Sequence, residues 1–97
     1  MAYLQVTAGP DSGQKHVLSA ETTSLGRHPH CDVVVTSVAV HAGRHALILQ
    51  IDGDFYLEDL GSRNGTYLNG NLIVDLAKLE DGDVISVAHV EVGVFHS

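Results

Sequence analysis

Asp52-Gly53 joins "HALILQI" to "DFYLEDL", and Asn69-Gly70 joins "TYLN" to "NLIV". Asp-Gly and Asn-Gly are the pairs a two-residue hairpin turn demands, because both central positions take positive φ. Two such joints commit four segments to antiparallel pairing and leave little room for helix. The rest of the chain has the same grain. Leu4 and Val6 alternate with Tyr3, Gln5 and Thr7, and "GPDSG" at 9–13 is a turn by composition. "KHVLSA", "TTSLGR", "DVVVT", "DVISVA" and "VEVGVFHS" supply further short strand candidates. Helical periodicity is weak throughout, and "LAKLED" at 76–81 is expected to form at most one turn. About ten short strands, with turn signals roughly every eight to twelve residues, predict an all-β antiparallel sandwich or barrel. With 97 residues, the expectation is a single domain over 1–97. In a sandwich the loops of one end lie together, and function concentrates there.

The chain carries twelve acids against five Lys and Arg, a net charge of −7. Nucleic acid and anionic membrane are poor partners for it, since both require a broad basic surface. A compact anion needs only a few cations at one spot. The three arginines all fall in predicted loops: Arg27 in "GRHPHCD", Arg44 in "VHAGRHA" and Arg63 in "GSRNG". Lys15 and Lys78 lie elsewhere. Arginine presents a planar fork that matches phosphate, and neighbouring glycines admit backbone N–H groups, so convergence of these loops on an anion is expected. Apolar residues come in short runs such as "VVV" and "ALIL", with nothing of membrane-spanning length. "MAYLQVTAGP" has no signal-peptide pattern, and the single cysteine, Cys31, excludes an internal disulfide. A cytoplasmic location is the corresponding expectation.

Taken together, "LGRHPHCDVVV", "RHALI", "LEDLGSRNGTYLNG" and "LEDGDVISV" resemble, in order and spacing, the motifs of the forkhead-associated (FHA) domain from about Leu4 to Phe95. The resemblance implies an FHA/SMAD-like sandwich of about eleven strands that recognises phosphothreonine peptides through loops at one end. Arg27 matches the arginine that clamps the phosphate, and Asn64 the asparagine that bonds the peptide backbone. Arg63 takes a turn position that reaches the phosphothreonine in some members. Gly26, Gly61, Ser62, Gly65, Thr66, Asn69 and Gly70 match motif positions that shape turns, and His45 matches a histidine bracing the loop before it. One departure stands out. The family's Ser-x-x-His reads Ala42-Gly43-Arg44-His45 here, so the serine hydroxyl that binds phosphate is missing. His41, or the N–H groups of Ala42 and Gly43, are the candidate replacements, with Arg44 beside them. The alternative is a degenerate domain that binds partners or itself without phosphate.

No catalytic or metal pattern emerges. His28, His30 and Cys31 in "HPHC", with His41, lack zinc-ligand spacing. Ser37 and Ser62 lie in no nucleophile motif. Glu58-Asp59 and Glu80-Asp81 border turns and read as solvated charge. The expectation is therefore a cofactor-free binding module whose partner is a phosphothreonine-containing protein. From Met1-Ala2 and the stop at Ser97, a further expectation is the N-terminal module of a larger bacterial signalling protein. The motif wording looks like modules that precede a sensor and a sigma-factor-regulating serine/threonine phosphatase.

Overall fold

The chain reverses where the two turn pairs stand. Asp52 and Gly53 have φ of 51° and 83°, and Asn69 and Gly70 have 51° and 81°, the left-handed values a twisted two-residue hairpin requires. In the computed structural model, which describes residues 1–97, these joints belong to eleven strands. They are β1 (Tyr3–Val6), β2 (Lys15–Val17), β3 (Thr22–Gly26), β4 (Val33–Val34), β5 (Arg44–Ile51), β6 (Asp54–Asp59), β7 (Thr66–Leu68), β8 (Asn71–Leu72), β9 (Ala77–Lys78), β10 (Val84–Val87) and β11 (Val90–His96). One sheet runs β2-β1-β11-β10-β7-β8 and the other β4-β3-β5-β6-β9. The inward residues of both, among them Leu4, Val6, Leu25, Ile48, Leu57, Ile85, Val87 and Phe95, form the core. Each such side chain contributes about 1.5–3 kcal/mol by leaving water.

Two details go beyond the expected pattern. "LAKLED" contains no helical turn: Ala77 and Lys78 pair with Leu57 and Tyr56, and the Leu79 N–H donates to the Phe55 carbonyl at 2.8 Å. Six residues are too few to sustain a helix, and the open edge of β6 offers backbone partners instead. Of "DVVVT", only Val33 and Val34 are strand, and they pair with β3 in parallel, Leu25 facing Val33.

A bulge in β5 shapes the loop end of the sandwich. Leu25 faces Ala46 and Gly26 faces Arg44, so His45 is the extra residue. A bulge breaks the two-residue alternation and re-aims a side chain. Here it buries His45 and Ala46 in succession and leaves Arg44 exposed. Because β3 and β6 both run antiparallel to β5, their C-terminal ends meet its start. Loops 27–32, 35–43 and 60–65 therefore gather at one end of the sandwich. The β10–β11 turn joins them, with the Ala88 N–H donating to the Gly65 carbonyl at 2.8 Å.

Candidate binding site at the loop end

The turn after β6 is organised by its last residue. One Asp59 carboxylate oxygen accepts the Ser62 N–H at 2.9 Å. The other accepts the Ser62 hydroxyl and, at 2.7 Å, the hydroxyl of Thr66, which is fully buried. The Ser62 hydroxyl oxygen in turn accepts the Gly65 N–H at 3.0 Å. Burial alone would raise the Asp59 pKa, but the hydroxyls of Ser62 and Thr66, the Ser62 amide and nearby His45 together hold it below the ordinary value. Asp59 is thus not the solvated charge its sequence context suggests; Glu80 and Asp81 are exposed. The Asp-x-x-Ser spacing is the signal for it, since a short carboxylate readily caps an amide three residues on.

His45 links this turn to the neighbouring loop. Its Nδ1 accepts the His41 N–H at 3.0 Å, and its Nε2 lies 2.7 Å from the Gly65 carbonyl. A backbone N–H can only donate, so Nδ1 is the acceptor and the proton resides on Nε2. The linkage continues outward: the His41 Nδ1 accepts the Gly43 N–H at 3.0 Å. That bond commits the Gly43 amide. The donors left to replace the absent serine hydroxyl are the His41 Nε2–H and the Ala42 N–H, which has no partner within the chain. Loop 27–32 is tied down separately. Asp32 accepts both the N–H and the hydroxyl of Ser24, at 2.8 and 3.1 Å, and its own N–H donates to the Ser24 oxygen at 2.9 Å. Nothing local in the sequence marks Ser24 and Asp32, because their pairing spans the loop that brings β4 parallel to β3.

Above this layer the cations stand free. Arg27, Arg44 and Arg63 make no ion pair and no side-chain hydrogen bond within the protein. Both lysines are engaged, Lys78 with Asp54 at 3.9 Å and Lys15 over the Tyr3 ring at 4.8 Å. Arg27 is half-buried and follows Gly26, at which a Cβ would collide with the Gly43 carbonyl and sit 2.9 Å from the His45 nitrogen. Arg63 and Asn64 line a groove of about 390 Å3 whose far wall is Tyr67, Leu72, Ile73 and Val74. The Asn64 amide donates to the Ala39 carbonyl at 2.7 Å, which clips loop 60–65 to loop 35–43, and its Oδ1 accepts no hydrogen bond within the chain. Gly65, at φ 82°, brings the chain so close that a Cβ would come within 2.6 Å of Leu72. Arg44 lines a different concavity, with His28 and His30. The remaining motif residues shape turns. Gly61 is a positive-φ turn residue (74°), while Asn69 and Gly70 turn the opposite end, where Asn69 bonds Asp83 and the Val84 N–H. Cys31 is buried beside the Gly43 carbonyl, and burial pushes its thiol pKa up. No three His, Cys, Asp or Glu side chains group as metal ligands.

The loop end thus combines a two-sheet scaffold, a hydrogen-bonded inner layer and three guanidinium groups without a partner in the chain. The FHA domain profile matches residues 23–88. The chain is 42% identical over 86 residues to the glycogen accumulation regulator GarA of Mycolicibacterium smegmatis, covering 89% of this chain and 53% of that protein. It is 44% identical over 66 residues to the oxoglutarate dehydrogenase inhibitor of Corynebacterium diphtheriae, covering 68% of this chain and 46% of the relative. This chain thus spans about half the length of the curated relatives it matches. Mycobacterium tuberculosis EmbR, solved in complex with a low-affinity phosphopeptide, superposes with TM-score 0.83 at 30% identity over 98% of this chain and 24% of that one. A solved FHA domain studied for phosphothreonine-dependent interactions gives 0.83 at 29% identity, over 99% and 95%. The chain belongs to the FHA family. FHA domains include phosphothreonine-dependent binding modules, and the relatives are named as a regulator and an inhibitor.

Proposed function

We propose that this domain docks a phosphothreonine-bearing segment of a protein partner across loops 27–32, 35–43 and 60–65. Arg27 clamps the phosphate, and Arg63 adds charge from the facing turn. The Asn64 Oδ1, without a donor inside the chain, accepts a backbone N–H of the peptide. The His41 Nε2–H and the Ala42 N–H take the part of the absent serine hydroxyl. The observation that carries this reading is the selective freedom of the arginines: in a chain with twelve acids, none of the three guanidinium groups has an internal partner, whereas both lysines do. The relatives named as a regulator and an inhibitor support a role in regulation through docking, carried out in the cytoplasm by residues 1–97 as one folded unit.

Titration of a phosphothreonine peptide and its unphosphorylated twin tests the proposal. Arg27→Ala should weaken the phosphopeptide by roughly ten- to a hundredfold, the worth of a charge-assisted contact of about 1.5–3 kcal/mol. Equal affinity of Arg27→Ala and wild type would overturn the assignment. Ala42→Ser should tighten the phosphopeptide alone, by about 1–2 kcal/mol. Ala42 also favours a second reading, a domain that has kept the sandwich and recognises partners without phosphate; equal affinity for the two twin peptides would establish it.

A further inference from the structure

The concavity holding Arg44 serves none of these roles. It measures about 310 Å3 and is lined by His28, His30, Cys31, Gly43 and Arg44. No carboxylate contributes to this wall, although acids outnumber Lys and Arg twelve to five in the chain. The bulge at His45 is what turns Arg44 outward here. Its guanidinium group has no acid and no acceptor within the protein. The two imidazoles stack with centroids 5.1 Å apart. The His28 Nδ1 accepts the His30 N–H at 3.0 Å, so the His28 proton lies on Nε2, on the side of the ring away from the backbone. Burial raises the Cys31 thiol pKa, which keeps it neutral, and one oxygen of the Asp32 carboxylate accepts the Ser24 N–H and hydroxyl. The wall thus presents donors: a guanidinium fork, an oriented imidazole N–H and a second imidazole stacked on the first.

We propose that this concavity is a second anion subsite, adjacent to the Arg27 position, that takes a carboxylate or a second phosphoryl group carried by the same bound peptide. The two chemistries share what the wall recognises, a compact group of anionic oxygens that accepts bidentately from Arg44 and singly from His28 and His30. Gly26 and Arg44 are cross-strand partners, so the subsite begins one strand away from the residue that follows Gly26, within the span of a few extended peptide residues. This inference rests on the phosphothreonine reading for its tethered ligand, but not for the existence of the pocket.

The test uses a phosphothreonine peptide with neutral flanks and a series in which one glutamate, or one phosphoserine, steps along either side of the phosphothreonine. At the favoured position the second anion should tighten binding about five- to tenfold, phosphoserine more than glutamate. Arg44→Ala and, separately, His30→Ala should reduce that ratio to under about twofold, while Arg27→Ala weakens all peptides alike and keeps the ratio. A ratio near one at every position in wild type, or a ratio unaffected by Arg44→Ala, would overturn the subsite while leaving the Arg27 reading intact. If no phosphothreonine peptide binds at all, that reading fails, and a nuclear magnetic resonance titration with inorganic phosphate decides the subsite by itself. Shifts of the Arg44 side chain and the His28 and His30 rings that vanish in Arg44→Ala support it, and their absence overturns it.

Discussion

Asp59, Ser62 and Thr66 direct their polar atoms at one another, whereas Arg63, between them in the chain, directs its own at nothing. The same contrast separates His45 from Arg44, adjacent residues of β5: one is fully buried with both ring nitrogens engaged, the other exposed and unpartnered. The inner layer has no unsatisfied buried side-chain atom, which is the condition for a polar cluster to add stability rather than subtract it. The outer layer leaves its donors unsatisfied within the chain but wet, at little cost in the free state. Shape and recognition are thereby assigned to different side chains. The inner groups hold the loops in place, so that the outer ones need not be held by partners they would have to abandon on binding.

Stability measurements break or sharpen this contrast. The largest effect is expected for His45→Ala, which leaves a cavity, strands the His41 amide and leaves the Gly65 carbonyl with the Ala88 N–H alone. Unfolding free energy should fall by about 3 kcal/mol, with Tm lower by roughly 10–20 °C in a domain of this size. An unchanged Tm with abolished binding would instead make His45 a ligand contact. Asp59→Ala comes next, at about 2 kcal/mol, because it deprives the buried Thr66 hydroxyl and the Ser62 amide of their acceptor. A double-mutant cycle with Thr66→Ala should give a coupling of about 1 kcal/mol, and strict additivity would dissolve the inner layer as a unit. Acid provides a smaller, graded version. The folded-state pKa of Asp59 is lowered, so its contribution is complete above the unfolded carboxyl value of about 3.9 and is lost as pH falls through the lower folded value. Asp59→Asn should flatten that part of the stability profile. The smallest effects belong to the outer layer: Arg27→Ala and Arg63→Ala should each change stability by no more than about 0.5 kcal/mol. A loss near that of Asp59→Ala would mean that the arginines brace the fold.

Those magnitudes also divide what the sequence makes readable from what it does not. Asp52-Gly53 and Asn69-Gly70 announce their turns because the backbone requirement is local and few residue types meet it. The motif glycines and the loop-end arginines are readable for the same reason, each being defined by its own position. Ser24–Asp32 and the His45–Gly65 bond depend on partners brought together only by sheet pairing. The bulge at His45 is set by the β3–β5 register and not by any residue of β5 alone. Ala77–Lys78 is a strand only because β6 has a free edge. The allocation of Arg44 to one concavity and of Arg63 with Asn64 to another arises from that same bulge and from the turn at Asp59.

Gly26 carries a consequence of another kind. Loops 27–32 and 35–43 approach each other there until the Gly43 carbonyl occupies the space where a side chain would begin, with the His28 N–H reaching that carbonyl at 3.4 Å and the Val35 N–H reaching the Gly26 carbonyl at 2.8 Å. Arg27 and Arg44 are therefore suspended from two stretches of main chain in direct contact. The gauge between their attachment points is fixed by atoms that have no rotamers to choose from. A single methyl at position 26 would widen that gauge and carry both guanidinium stems with it. The spacing of two positive charges in this domain is thus set to the tolerance of a covalent backbone, while their tips keep the whole reach of an arginine side chain to find an anion.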